Sequence, residues 1–206
     1  MLSSLDMEEH PLLLVGKKPE PNAVIARHNN LMEAHYYASP QEQRLFLWAV
    51  YQAQEGAVGS QIVRVSIIEL ARFIGVEGSG SMYAQMVDVT DRIRRRMVTI
   101  KNSETGQLVQ ANLMNARYET GSGYVEVELS QFVLPYILEL KKNFTTVELK
   151  YAMRLGSGHA MRIYDLLKAR SYRGNQVSID VDELQTLLGT AGKYPRFNNF
   201  RQFVLD

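Results

Sequence analysis

V-R-V-S-I-I-E-L-A-R-F-I-G, from Val63 to Gly75, and V-S-I-D-V-D-E-L-Q-T-L-L-G, from Val177 to Gly189, are one short passage written twice, 114 positions apart. In each copy alternating apolar residues lead to a small polar residue, Ser66 or Asp180, and a glutamate follows three places on, Glu69 or Glu183. An apolar helical run comes next and ends at Gly75 or Gly189. This is the pattern of a strand feeding a capped helix. The polar side chain accepts from an orphan amide, the glutamate reaches back, and the glycine takes the left-handed turn that stops the helix. The repeat extends upstream, where Arg44-Leu45-Phe46-Leu47 and Arg162-Ile163-Tyr164-Asp165 each lie in a helix before their strand. The chain therefore reads as two copies of one small helical unit.

The bulk numbers fit that reading. A chain of 206 residues, 46% apolar and 22% charged, can hold two domains of ordinary globular composition. No run of 18 apolar residues occurs, and Leu12-Leu13-Leu14-Val15 follows acidic residues and is too short for a signal peptide. The absence of cysteine excludes disulfides and thiolate metal sites, and a reducing cytoplasmic setting is the simplest fit. The net charge is +1, but residues 1–149 carry 14 basic and 17 acidic side chains against 9 and 5 in residues 150–206. That asymmetry points to nucleic acid as a partner of the C-terminal part, with chance scatter the alternative.

Along the chain, residues 1–22 hold three prolines and no sustained period, which suggests a mobile or loosely docked arm. Val24 to His35 predicts a first helix. Ser39-Pro40-Gln41-Glu42 predicts a strong helix start, with Ser39 as cap, Pro40 at the first helical position and Glu42 closing the box. Met82, Met86, Val89, Ile93 and Met97 share one helical stripe, read as core. Val98–Lys101, Leu108–Tyr118 and Tyr124–Leu129 read as hairpin strands, and Ser130 opens another helix. The second copy has a helix from His159 to Ser171, the repeated strand and helix, and the start of one more helix at Arg196–Leu205, with no second hairpin after it. The expected fold is α+β, tandem winged helix-turn-helix domains at 23–145 and 146–206, the second incomplete at its C-terminus.

Nothing in the sequence specifies catalysis, a cofactor or a metal site: His10, His28, His35 and His159 lack ligand spacing, and no phosphate loop or nucleophile elbow occurs. The helix-turn-helix positions say more, because in such units the second helix lies in the major groove. On Arg196–Leu205, Phe197, Phe200 and Val204 form the apolar stripe, expected to bury Phe197 and Phe200 against Leu184, Leu187 or Leu188 and to leave residues 204–206 poorly ordered or held by a neighbouring chain. Asn198, Asn199, Arg201 and Gln202 lie on or beside the opposite face, where asparagine and glutamine suit adenine and arginine suits guanine. A solvated polar face is the alternative. Lys193 and Arg196 flank the helix, and Arg162, Arg170 and Arg173 suit phosphate clamping. In the first copy Arg94 and Arg95 point away from the core, with Arg92 and Arg96 at the flanks. The i,i+4 pair of Asp91 and Arg95 fits a surface helix, while Arg94 and Arg96 lack such partners and fit phosphate contact equally well. Leu113, Met114 and Val125 on the hairpin exceed what one small core covers and predict a two-fold homodimer through an edge strand.

Three stretches also resemble a known family, the iteron-binding plasmid replication initiators with two winged helices. They are V-I-A-R-H-N-N-L-M-E-A-H-Y-Y-A-S-P-Q-E-Q-R-L (Val24 to Leu45), H-A-M-R-I-Y-D-L-L-K (His159 to Lys168) and K-Y-P-R-F-N-N-F-R-Q-F-V-L (Lys193 to Leu205). With the repeat, the resemblance spans about residues 23–206. It implies a non-enzymatic protein whose second unit reads repeats in double-stranded origin DNA, while the first contacts phosphates and forms the homodimer. It also implies that monomers start replication and dimers repress their own promoter, with the host initiator and replicative helicase as further partners. Family members continue past the position of Leu205 with the rest of the recognition helix and a wing, so this form is expected to bind weakly and with little sequence preference. They also carry an acidic residue where Asn198-Asn199 stands. A tandem winged-helix transcriptional repressor and a dimerisation-only fragment are the rival readings.

Overall fold

In a computed structural model, residues 13–56, 62–76, 82–118, 121–171, 174 and 176–205 are described. The first unit runs β1 (Leu13–Val15), β2 (Val24–His28), α1 (Asn29–Met32), α2 (Pro40–Glu55), β3 (Ile62–Ser66), α3 (Ile67–Ile74) and α4 (Met82–Arg94). It continues with β4 (Met97–Lys101), β5 (Leu108–Asn112), β6 (Met114–Tyr118), β7 (Tyr124–Leu129) and α5 (Pro135–Leu138). Next come β8 (Phe144–Glu148), α6 (Leu149–Ala152), α7 (Gly158–Arg170), α8 (Val181–Leu187) and α9 (Phe197–Phe200), which passes into a π-helical turn at Arg201–Leu205.

Helix α2 begins as its sequence requires. The Ser39 hydroxyl accepts from the Glu42 amide at 3.3 Å and the Ser39 amide donates to the Glu42 carboxylate at 2.6 Å. Pro40 occupies the first turn, where no amide is needed. The inward side of α2 carries Leu45, Phe46 and Trp48 into the main core, which Leu70, Ile74, Met86 and Ile93 fill from α3 and α4. A four-stranded sheet ordered β1, β3, β7, β6 closes that core, with β1 parallel to β3 and the other pairs antiparallel. Helices α3 and α4 followed by the β6–β7 hairpin make a winged helix-turn-helix unit.

Several expectations change here. Residues 13–15 are not loose: β1 pairs with β3, and the Trp48 ring lies so close to Gly16 that a Cβ there would meet it at 2.6 Å. Of the stretch Val24–His35 only Asn29–Met32 is helix and Val24–His28 is strand, because Ile25 and Arg27 turn inward while Val24 stays exposed, a period of two that a buried arginine disguises. Leu108–Tyr118 is two strands in different sheets, since β5 pairs with β4 and β6 with β7. Met97 leaves the helical stripe to begin β4 and is exposed. Only Pro135–Leu138 of the helix expected after Ser130 is formed. The hairpin residues assigned to a dimer contact are a correction: Leu113 and Met114 are 0% exposed and Val125 1%, so the one core does cover them.

Strand β2 pairs antiparallel with β8, Ala26 opposite Thr146 at the centre. The boundary expected at residues 145 and 146 therefore cuts a strand that the first unit holds. A four-residue helix follows each of the two strands, α1 after β2 and α6 after β8. The duplication thus starts earlier than the quoted repeat, and its equivalent strands meet about an approximate two-fold axis.

The second unit is thinner. Helix α7 starts one residue before His159, with the Ser157 hydroxyl accepting from the Ala160 amide. Asp180 caps α8 by accepting from the amides of Asp182 and Glu183, and Gly189 ends the unit with φ +65°. Residues 176–180, expected as a strand, form none, because no partner strand lies beside them among the described residues. Leu166, Leu187, Leu188, Phe200 and Val204 make a separate small core. Phe197 is 51% exposed, against expectation, and Val204 is buried.

Candidate nucleic-acid interface

Two apolar anchors decide how α9 sits. Phe200 and Val204 are four residues apart and both enter the small core with Leu166, Leu187 and Leu188. Side chains that far apart share one helical face, so the residues between them must point outward. Asn198, Asn199, Arg201 and Gln202 are exposed, as are Lys193 and Arg196 just before the helix. All six residues assigned to this surface from the sequence are therefore exposed. The π-helical turn widens the helix by one residue at Arg201–Leu205 and swings Phe203 outward, where it stacks on Tyr194 at 6.1 Å and 19°. The Lys193 ammonium lies over the Tyr194 ring, 5.2 Å from its centre. The apolar stripe alone does not reveal this aromatic platform; its signal in the sequence is Tyr194 and Phe203 flanking five polar residues.

The arrangement offers amide and guanidinium groups in the combination that recognises base edges, with cations beside it for phosphate. Among the described residues no group of three histidine, aspartate or glutamate side chains could hold a metal ion.

The remaining assigned residues fare differently. Arg162 is a correction. Its guanidinium is wholly buried, donating to the carbonyls of Met32 and Ala34 at 2.9 and 2.7 Å and lying 3.3 Å from Asp165. It cannot meet a phosphate, because burial has already committed it to carbonyls and a carboxylate. Arg27 completes this group with a two-pronged bond to Asp165 at 2.9 and 2.6 Å. Burial works against the Arg27 charge, yet Asp165 holds its pKa above the ordinary value. Arg170 bridges Glu33 and Glu183. Arg173 lies outside the described residues.

On α4 the cations are partnered more fully than the sequence suggested. Arg92 pairs with Asp88 at 2.8 Å, and Asp91 serves both Arg94 and Arg95 at 3.3 and 3.6 Å. Arg96 reaches the buried Glu42 at 3.0 Å and sits 5.7 Å from the Tyr37 ring, so it is part of the α2 cap. Arg94 and Arg96 have no i,i+4 partner, as the spacing predicts, but Asp91 at i,i+3 and Glu42, 54 positions away, pair with them.

A helix-turn-helix pair with a hairpin wing, joined to a second copy of its helices, defines a tandem winged-helix protein. The family model described as Initiator Replication protein, WH1 matches residues 24–168, and the chain belongs to that family. Among solved structures it is similar to the Pi initiator protein in complex with iteron DNA, at 20% identity and a TM-score of 0.63, over 91% of this chain and 84% of that one. It is also similar to the WH1 domain of MSBI1.176, a replication protein isolated from a multiple sclerosis patient, at 20% identity and a TM-score of 0.39, over 56% and 85%. Domains 2 and 3 of RctB match at 11% identity and a TM-score of 0.49, over 95% and 79%. No protein of curated function matches the sequence significantly.

Proposed function

We propose that this replication-initiator family member binds repeated duplex DNA at a plasmid origin, and that the strip on α9 reads the bases. The observation that carries the reading is the seating of α9. Phe200 and Val204 fix its inner face, and Asn198, Asn199, Arg201 and Gln202 are left exposed together on the outer one. Lys193 and Arg196 supply phosphate contacts that set register, and Arg94 and Arg95 add contacts from the first unit by exchanging Asp91 for phosphate. Membership of the initiator family and the fold shared with a protein solved on iteron DNA support this assignment.

In the same proposal the protein also forms a homodimer through the first unit and represses its own promoter in that form. The open strand edge of β6 supports this, because its outward side pairs with nothing among the described residues.

The test extends the chain beyond Asp206 by the remainder of the helix and the wing that the initiator resemblance implies, and measures binding to duplex repeats and to shuffled DNA across a salt series. Affinity for both falls steeply with salt as counterions are released. Asn198→Ala and Arg201→Ala each cost about 1–3 kcal/mol on the repeats and little on shuffled DNA. Lys193→Ala weakens both DNAs alike. Equal losses on both DNAs for Asn198→Ala and Arg201→Ala would refute base reading by α9.

A further inference from the structure

Among the described residues two ion-paired ties join the units, and they differ in depth. The group of Arg27, Asp165 and Arg162 is sealed between β2 and α7 and fixes that helix on the first unit. The other tie stands at the mouth of a cleft of about 540 Å³ lined by Asn30, Glu33, His35, Lys101, Arg170 and Glu183. Arg170, in the last turn of α7, places Nε 3.1 Å from one Glu33 oxygen and Nη2 3.3 Å from the other. The same Nη2 lies 2.7 Å from the Glu183 carboxylate. Glu33 belongs to the first unit, at the end of α1, and Glu183 to the first turn of α8.

Helix α8 has few other holds on the first unit. Its apolar side enters the small core of α7 and α9, apart from the main core. The residues leading into it, 176–180, belong to no sheet. At its far end Gly189 fits against the backbone of Tyr36 and Tyr37, so closely that a Cβ would lie 2.8 Å from the Tyr37 nitrogen. That contact fixes the Gly189 end of α8 on the first unit. A helix held at one end can swing about it, and a hold at the other end, about 9 Å away at 1.5 Å per residue, removes the swing.

We propose that Arg170 is a positioning residue: by gripping Glu33 and Glu183 together it sets the angle of α8, and with it the stand of α9 relative to the first unit. The inference rests on the reading of α9 as the DNA-facing helix. It also explains why this arginine does not clamp phosphate, since two carboxylates already neutralise it. Because Arg170, Glu33 and Glu183 all keep partial access to water, the strap responds to salt, whereas the sealed group does not.

The chain has no cysteine, so spin labels can be placed at will. With labels on Lys141→Cys in the first unit and Asp182→Cys on α8, the parent gives one narrow distance distribution at low salt. Arg170→Gln and Glu33→Gln each broaden it, 1 M salt broadens the parent to match, and Arg170→Lys falls between. Glu33→Gln is decisive, because it leaves the Arg170–Glu183 bond within the second unit intact. On repeat DNA, Glu33→Gln binds several-fold more weakly than the parent although every residue of α9 is unchanged. Unbroadened distances in both Gln variants would overturn the strap. If the parent binds no repeat DNA while those variants still broaden, the strap stands and the DNA reading falls.

Discussion

In the first copy of the repeat the strand Ile62–Ser66 runs between two partners, while in the second the matching residues 176–180 have none among the described residues. The helices that follow start differently as a result. Beside the sheet, the turn after β6 brings the Gly123 carbonyl to the Ile67 amide at 3.0 Å, and Ser66 makes no side-chain cap. Without the sheet, Asp180 does the capping itself. The equivalent arginines diverge in the same way. Arg44 is half-buried and donates to Ile74 and to Leu155 across the approximate two-fold, at 3.1 and 3.2 Å. Arg162 makes the reciprocal crossing to Met32 and Ala34 and is wholly buried. A duplicated sequence thus keeps its partners in kind but not in depth, and depth decides the energy.

The largest test of this comparison is the arginine pair. Arg162→Met leaves Asp165 with Arg27 alone and two buried carbonyls without donors, so urea titration should show a loss of about 3–5 kcal/mol. Arg44→Met removes bonds that water can partly replace, and its loss should be about 1.5–3 kcal/mol. Losses of equal size would break the comparison.

The glycines sharpen it further. Gly75 and Gly189 both have positive φ, +76° and +65°, so alanine at either strains the backbone by about 1–2 kcal/mol. At Gly75 the new methyl meets the tip of Arg44, which can move; at Gly189 it meets the backbone of Tyr36 and Tyr37, which cannot. Thermal unfolding should therefore place Gly189→Ala below Gly75→Ala, and the reverse order would show that the unit interface yields.

The caps give the smallest effect. Asp180→Ala should cost about 1 kcal/mol, the usual value of an N-cap. Ser66→Ala removes no bond and should stay within about 0.5 kcal/mol. A Ser66 loss matching that of Asp180 would mean that the Gly123 carbonyl does not substitute for the cap.

Much of this was legible from residue types alone. The capping box of α2, the left-handed glycines after α3 and α8, the β6–β7 hairpin strands and the exposure of the α9 strip all follow from short-range chemistry: caps, turns and apolar spacing act within a few residues. The candidate site was legible on α9 for the same reason, since Phe200 and Val204 set its inner face. Phe197, expected in the core, is exposed, and Val204, expected to be poorly ordered, takes a place in the small core beside Phe200.

What lay beyond the sequence involves partners far along the chain. By itself the sequence determined the repeated passage, the capped start of α2, the glycine stops after α3 and α8, and the exposure of the polar side chains of α9. Only the tertiary structure decided that Val24–His28 is a strand, because its partner is 120 residues away in β8. It also decided that Leu113, Met114 and Val125 are core and that Arg162 and Arg170 join the units. A cation reads the same in sequence whether it faces water or a buried carboxylate, and that choice is made by desolvation and charge pairing, which exist only once the two copies pack together.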